Sequence, residues 1–488
     1  MRLLQIVLLV IAIAGCKAGS SAPQTMSGSL NAALTGFKKS SRVDGLAFAV
    51  FTKDSVIQRQ CLGVSSYGFP INDSTLFSIQ SVSKNFTAMA VMMAVQDSLL
   101  DIEMPLSTYL PGFTVNSCFS DTPQDEITIE MLLSHTAGFT HEAPEGNNYD
   151  FTYCPFDRHI SSISSTWLKF PPGKGYAYSN LGVDLAAYTV EKASGLTFDS
   201  YLKKKIFDPL EMKYTTVDDQ KVVKNSNRTE GTISGARTRH RQIPLMGSGA
   251  VFTNLSEMIR YTQFQMNRGR YNGMQILEPR YLDDMYTIRS HNYGLGTYIN
   301  IADGTWYINH NGGGYGYSAT MVFFPEYNLG AVMLCNKPAN TFSFTLGIMN
   351  KYLRDAGLAK DTAMTGHLGW LNRRYIADQL SYDNFTPVRC GSDTLFREEW
   401  NRYTGKYAMR LKNYDLRWYV RALKSLGFYQ ENVYVIRSKQ VLMLEYHGTA
   451  SILCEYRPGL FFTGDGEALD FRGAAPIFKN VELKRIRK

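Results

Sequence analysis

Phe77-Ser78-Ile79-Gln80-Ser81-Val82-Ser83-Lys84-Asn85-Phe86 is the stretch on which the reading of this chain turns. Ser81 and Lys84 stand three residues apart, so on a helix they share a face and the amine reaches the hydroxyl. A helix starting here also sets its positive end near Ser81, where an oxyanion would form. A serine hydroxyl is a weak nucleophile without a base. A lysine can serve as that base once burial lowers its pKa. The segment Phe86–Val95 is almost wholly apolar, with Met89, Val91, Met92, Met93 and Val95. A helix apolar on all sides is a buried helix, the setting that a neutral lysine needs. Ser-x-x-Lys alone is common in long chains, so its weight comes from its surroundings.

Two further groups lie downstream. Pro171-Pro172-Gly173-Lys174-Gly175-Tyr176-Ala177-Tyr178-Ser179-Asn180 is a Pro/Gly-rich loop ending in Tyr-x-Asn. It offers a phenol (Tyr178) and an amide (Asn180) toward a cleft. His310-Asn311-Gly312-Gly313-Gly314 follows a strand read at Thr305–Asn309 and is taken as a loop at its end. Glycines there allow close backbone approach to a ligand and offer an N–H to an oxyanion.

Strand signals flank a helix-rich stretch at about 80–290. Leu46–Thr52 and Ile57–Val64 come before it; Tyr293–Asn300, Thr305–Asn309, Ala319–Phe324 and Gly330–Cys335 come after it. Asp303-Gly304 marks a hairpin turn. The simplest closure is an α+β domain over 35–352: one antiparallel sheet built from both ends, flanked by helices. A connector is expected over 353–395. Residues 396–488 read as a small antiparallel β-domain, with runs at Val433–Ile436, Val441–Tyr446 and Leu460–Thr463.

Taken together, Ser81-x-x-Lys84, Tyr178-x-Asn180 and His310-x-Gly312 resemble the serine β-lactamase and penicillin-binding-protein superfamily. The likeness is to the branch of class C β-lactamases, DD-peptidases, D-aminopeptidases and related esterases. Ile127–Gly138, with Leu132-Leu133-Ser134-His135-Thr136, is similar to a segment of that branch, and so is Gly247–Met258. In the second, Asn254 and Glu257 make a capping pair. The resemblance implies roles. Ser81 is the acylated nucleophile, and Lys84 and Tyr178 share the proton transfers. Asn180 orients substrate and lysine. The N–H groups of Ser81 and Gly313 form the oxyanion hole, beside Gly312. His310 stands where class C enzymes carry a lysine. An unperturbed histidine is mostly neutral at pH 7, which fits a peptidase or esterase better than an efficient β-lactamase. His135 is read as structural. No metal or cofactor is implied, since no histidine pair has ligand spacing.

Three functions stay open at this point. One is an envelope serine hydrolase acting on D-amino-acid peptides, peptidoglycan fragments or esters. The others are a β-lactamase and a non-hydrolytic cell-wall sensor.

The N-terminus supplies a compartment. Met1-Arg2 precedes an apolar run, Leu3–Ala14, that is too short for the ~20 residues of a membrane span. It has the order of a secretory signal. Its end, Ile13-Ala14-Gly15-Cys16, resembles a bacterial lipobox. This implies a signal peptide over 1–15, a lipid on Cys16, a tether over 16–34, and an exported, membrane-anchored protein. The absence of Asp after Cys16 favours the outer membrane of a Gram-negative cell. Export permits disulfides. By region, Cys118 pairs with Cys154 and Cys390 with Cys454, leaving Cys61 and Cys335 as buried thiols, although spacing does not fix connectivity.

Composition narrows the rest. The chain has 488 residues, 44% hydrophobic and 19% charged, so it is globular. A net charge of +8 over that length is too mild to indicate nucleic acid. No nucleotide-binding glycine loop is present. The basic loop Arg237–Arg241 reads as solvated.

Overall fold

The computed structural model describes residues 22–148, 154–233, 236–237, 245–302, 305–355, 394–410 and 431–486. Six antiparallel strands lie side by side in the order Val56–Gly63, Gly45–Phe51, Leu329–Cys335, Tyr317–Phe324, Thr305–Gly314, Tyr298–Ala302. Both ends of the domain therefore build one sheet, with most of the helices between them in sequence.

Every residue of Gly45–Phe51, Tyr317–Phe324 and Leu329–Cys335 is buried. Side chains alternate between faces with a period of two, so these strands read as unbroken apolar runs because both faces are covered. Leu46, Phe48 and Val50 pack with Leu30, Leu34, Phe37, Phe342 and Leu346. Ala47, Ala49 and Phe51 face the larger core with Phe86, Leu185 and Tyr261. The helices Ala22–Ser40 and Thr341–Asp355 thus lie behind the sheet.

The tether expected over 16–34 is corrected from Ala22 onward, where the chain is helical. Leu30, Leu34 and Phe37 recur at helical spacing, which buries one stripe of this segment. Two strand readings are also corrected. The strand expected over Tyr293–Asn300 starts at Tyr298, because Gly294 and Thr297 close a turn by a backbone hydrogen bond of 3.0 Å. His310–Gly314 is not a loop: it is the end of the strand Thr305–Gly314, paired with Tyr317–Met321. The Asp303-Gly304 turn, most of the connector and the rest of the basic loop beyond Arg237 fall outside the described residues.

Among the described residues the C-terminal domain forms a nine-stranded antiparallel sheet, from Gly405–Met409 to Val481–Ile486 in chain order. Its end strands, Thr449–Ile452 and Cys454–Arg457, are consecutive in the chain, so the sheet curls toward a barrel. Trp400, Tyr407, Val433, Leu442 and Phe461 fill its core. Leu460 and Phe462 dock it on Phe119 and Trp167 of the larger domain.

The cysteine pairings need correction. Cys118 is disulfide-bonded, but Cys154 and Cys454 keep their thiols outside any disulfide, so neither expected pair forms. Cys154 instead directs its thiol to the carbonyl of Pro155. Cys335 is a buried thiol, whereas Cys61 is half-buried on the edge strand. Cys16 and Cys390 lie outside the described residues.

One polar cluster ties the helices together beneath the sheet's end. Asp184, fully buried on the helix Asn180–Ser194, accepts hydrogen bonds from the N–H of Gly247 (2.9 Å), the N–H of Ser248 (2.8 Å) and the Ser248 hydroxyl (3.0 Å). His159 Nε2 donates to the same carboxylate at 3.1 Å, and His159 Nδ1 donates to Glu145 O at 2.8 Å. Two acceptors require both ring nitrogens to carry protons. Burial opposes that charge, but Asp184 outweighs it and raises the His159 pKa.

Removing the carboxylate leaves its donors unpaired in the core. Asp184→Ala is expected to cost ~3–5 kcal/mol, read from chemical unfolding midpoints. The His159 charge stabilises the fold fully below its ordinary value of 6.5 and loses this effect as pH rises through its raised folded value. The stability gap between wild type and His159→Gln should therefore shrink on the alkaline side, and a gap independent of pH would refute the assignment.

Candidate active site

The strand Phe77–Ser78 leads into a 3-10 turn, Gln80–Val82, and then into the helix Ser83–Gln96. Gln80 takes a left-handed conformation (φ 50°), which swings the chain so that Ser81 meets the cleft at the start of the turn. The helix is buried from Ser83 through Ala94, including Lys84. The apolar run after Lys84 therefore does what its composition implied.

Lys84 Nζ meets three oxygens: Asn180 Oδ1 at 2.7 Å, Ser248 O at 3.0 Å and Ser81 Oγ at 3.2 Å. It also lies 4.8 Å from the centre of the Tyr178 ring. Burial is the main influence on its pKa, and the carboxylates of Asp184 and Glu142 oppose it only in part; the result is a fall to about 7. At neutral pH the amine is thus divided between two forms. The ammonium donates to all three oxygens. The free amine donates to two and has a lone pair for the Ser81 proton.

Asn180 opens its own helix, capped by Ser179, whose hydroxyl oxygen accepts the N–H of Gly182 at 3.2 Å. Its Nδ2 donates to Glu142 Oε1 at 2.8 Å, so the amide cannot turn over without losing both partners. Glu142 is buried, which disfavours its charge. His141 and the Asn148 hydrogen bonds outweigh this and hold it below the usual carboxylate value.

His135 adopts a left-handed backbone (φ 62°) after the helix Ile129–Leu133. Its Nδ1 accepts the N–H of Ser179 at 3.2 Å, and its ring centre is 4.3 Å from that of Tyr178. Burial, together with the nearby Lys84, keeps it neutral. It backs the Tyr178 ring, in line with the structural reading of the sequence.

The fourth wall is the strand Thr305–Gly314. A Cβ on Gly312 would fall 2.0 Å from Ile79 O and 3.1 Å from Ser81 N. The strand therefore touches the serine's own backbone, and only glycine permits it. Gly313 is the opposite case, with nothing within 4 Å of an added Cβ. His310 is buried. Its Nδ1 donates to Asn311 O at 2.8 Å, so its bare Nε2 accepts the Tyr293 hydroxyl at 2.9 Å. Burial, reinforced by Lys84, lowers its pKa to about 3. This position is neutral at any physiological pH, more firmly than an unperturbed histidine would be.

The structure thus gathers Ser81, Lys84, Tyr178, Asn180 and Gly312 around one point, with Gly313 and His310 alongside on the same strand. Glu142, Ser248 O, Asp184 and Tyr293 were not foreseen as contributors. Ser248 lies in the glycine turn already noted, but a carbonyl leaves no signature in sequence. Asn254 caps its helix as expected, accepting Glu257 N–H at 2.9 Å, while the Glu257 carboxylate goes to Tyr214 N and Thr215 instead. Among the described residues, no three His, Cys, Asp or Glu side chains are placed to hold a metal.

A serine and a buried lysine joined by a hydrogen bond, faced by a glycine-edged strand, define a class of serine hydrolase. The chain belongs to the β-lactamase family: the family model described as Beta-lactamase matches residues 30–354. It is 25% identical over 302 residues to Penicillin-binding protein 4* of Bacillus subtilis, spanning 56% of this chain and 63% of that protein. It is 28% identical over 284 residues to the D-alanyl-D-alanine-carboxypeptidase/endopeptidase AmpH of Escherichia coli K12, spanning 54% of this chain and 72% of that one. The fold is similar to the octameric penicillin-binding protein homologue from Pyrococcus abyssi, with TM-score 0.60 and 18% identity. That likeness covers 94% of this chain and 98% of the other, so it takes in the C-terminal domain.

The two glycines should separate in a melting experiment. Gly312→Ala is expected to lose ~1–3 kcal/mol, since Ile79 O is backbone and cannot yield cheaply. Gly313→Ala should stay within about 0.5 kcal/mol of wild type. Equal losses would mean that the strand does not press on the serine turn.

Proposed function

We propose that this chain is an envelope serine hydrolase that forms an acyl-enzyme on Ser81, acting on D-amino-acid peptides, peptidoglycan fragments or esters. The observation that carries the reading is the Lys84 amine, buried beside Ser81 with a pKa of about 7. The free amine takes the Ser81 proton as Oγ bonds to the substrate carbonyl carbon. The carbonyl oxygen becomes an oxyanion, held by the N–H groups of Ser81 and Gly313. Collapse breaks the amide or ester bond, and the leaving nitrogen or oxygen takes a proton relayed from Lys84 through Tyr178. Water then attacks the acyl carbon and gives a proton to the same pair; the Ser81 Oγ–acyl bond breaks, Oγ takes that proton back and the acid leaves. Asn180 keeps Lys84 and the substrate in line.

The neutral His310 bears on substrate. It supplies no cation for a substrate carboxylate, which favours esters and amides over a carboxylate-bearing β-lactam. Slow release of a penicilloyl adduct is the corresponding expectation. Export and lipid attachment at Cys16 belong to the same reading, supported by the apolar run and its Ala14-Gly15-Cys16 ending.

The test is to label the protein with a fluorescent penicillin and a fluorophosphonate and follow intact mass, with Ser81→Ala as control. An adduct absent from the control supports acylation at Ser81. A penicillin adduct lost within seconds would point to a β-lactamase. No adduct with either probe would leave a binding protein. The labelling rate should rise about tenfold per pH unit below 7 and level off above ~8, because the base form of Lys84 accumulates as pH rises. A rate that falls over this range would remove Lys84 from the base role.

A further inference from the structure

Residues 140–142 form a strut between the candidate site and the C-terminal domain. On the inner side, Thr140 O accepts the Ser179 hydroxyl at 2.7 Å and His141 O accepts the Asn180 N–H at 3.1 Å. Glu142 Oε1 accepts Asn180 Nδ2 at 2.8 Å. The His141 ring stacks on the Tyr178 ring with centres 5.9 Å apart. Three consecutive residues thus set the backbone and side chains of Tyr178-Ser179-Asn180.

On the outer side Thr140 and Glu142 are held by the C-terminal domain. The Thr140 hydroxyl donates to the Glu467 carboxylate, at 3.1 Å from each oxygen. Asn480 Nδ2 donates to Glu142 O at 2.7 Å. Glu467 also pairs with Lys169 Nζ at 3.2 Å, and the Lys169 backbone N–H donates to Gly138 O at 2.8 Å, two residues before the strut. Thr140, Glu142, Lys169 and Glu467 are all buried. Buried polar groups joined this way hold geometry, because each lost partner leaves a desolvated atom.

The geometry of both domains favours this contact. Gly466 has φ 86°, and a Cβ there would fall 2.4 Å from Lys169 O, so its loop lies flat against the larger domain. Lys479 and Asn480 both take left-handed conformations (φ 49° and 62°) in a hairpin turn, and the Asn480 amide extends from that turn.

We propose that Glu467 and Asn480 are positioning residues: the C-terminal domain sets the orientation of Tyr178 and Asn180 through the strut 140–142. This rests on acylation at Ser81 as proposed above. The domain then acts on the rate of acylation without touching the reacting atoms.

The experiment uses the full chain and the fluorophosphonate, comparing labelling rate, its pH midpoint and the melting temperature. Asn480→Gly keeps the left-handed turn and removes only the amide. Thr140→Val removes the hydroxyl facing Glu467, and Thr140→Ser restores it. Arg410→Ala, on an exposed pair with Glu482 of the same domain, is the control. The expected result is labelling about tenfold slower in Asn480→Gly and Thr140→Val, with a displaced pH midpoint. Melting temperatures should fall by only a few degrees, leaving the protein folded at the assay temperature, and Thr140→Ser and Arg410→Ala should label normally. Wild-type rates and midpoint in both variants would overturn the proposal. So would a loss of rate that only tracks loss of folded protein with the midpoint unmoved. A wild type that labels with neither probe would instead strike the Ser81 reading, and the positioning role would fall with it.

Discussion

The burial of one lysine organises this molecule. An ammonium removed from water needs oxygens on every side, and the oxygens around Lys84 come from three separate parts of the chain. Asn180 arrives at the start of a helix, Ser248 O in a turn and Ser81 in the lysine's own leading turn. Each must itself be fixed. Asp184 ties down the 247–248 turn through two backbone N–H groups, and Glu142 holds the Asn180 amide. Two carboxylates near the lysine offset its desolvation in part and leave the amine close to its titration point.

The other side of the cleft has a different electrostatic character. The strand Thr305–Gly314 carries a histidine that is kept neutral by burial and by the nearby Lys84, and that is hydrogen-bonded to the Tyr293 hydroxyl. The negative partners of Lys84 thus lie on the helical side, while the sheet contributes uncharged groups and backbone. In the acylation proposed above, negative charge developing at a substrate oxygen would meet N–H dipoles and no charged side chain on the strand. The charge arrangement suits a reaction that creates an oxyanion better than one that anchors an anionic substrate.

Much of this was legible in the sequence because it depends on local pattern. The apolar run after Lys84 announced a buried helix, and strand-like runs at both ends announced one sheet. Ser81 and Lys84 stood out through spacing and setting, whereas Tyr178 and Asn180 gained weight only from the family resemblance of the three motifs together. What escaped was of two kinds. Some contacts link residues remote in sequence through main-chain atoms or single side chains, as with Ser248 O and Glu142, and no local pattern encodes them. Other misses came from turn residues read too literally. The glycines at 312–314 suggested a loop, yet they belong to a strand whose close neighbour excludes a side chain at 312. The stretch after Cys16 was read as a polar tether, although its Leu30-Leu34-Phe37 stripe buries a helix behind the sheet. The disulfide pairings failed because proximity in sequence says little about which thiols meet.

Adjacent glycines on one strand have opposite freedoms, and that bears on how such a site can diversify. Gly312 is committed by the carbonyl of Ile79, so the seam between the sheet and the Ser81 turn leaves no room for drift. Gly313 faces open space, where a side chain meets nothing within 4 Å. On the role proposed for Ser81, a side chain at 313 would alter the surroundings of the site while Gly312 keeps the strand against the Ser81 turn. Selectivity and chemistry are separable here by a single step along the backbone.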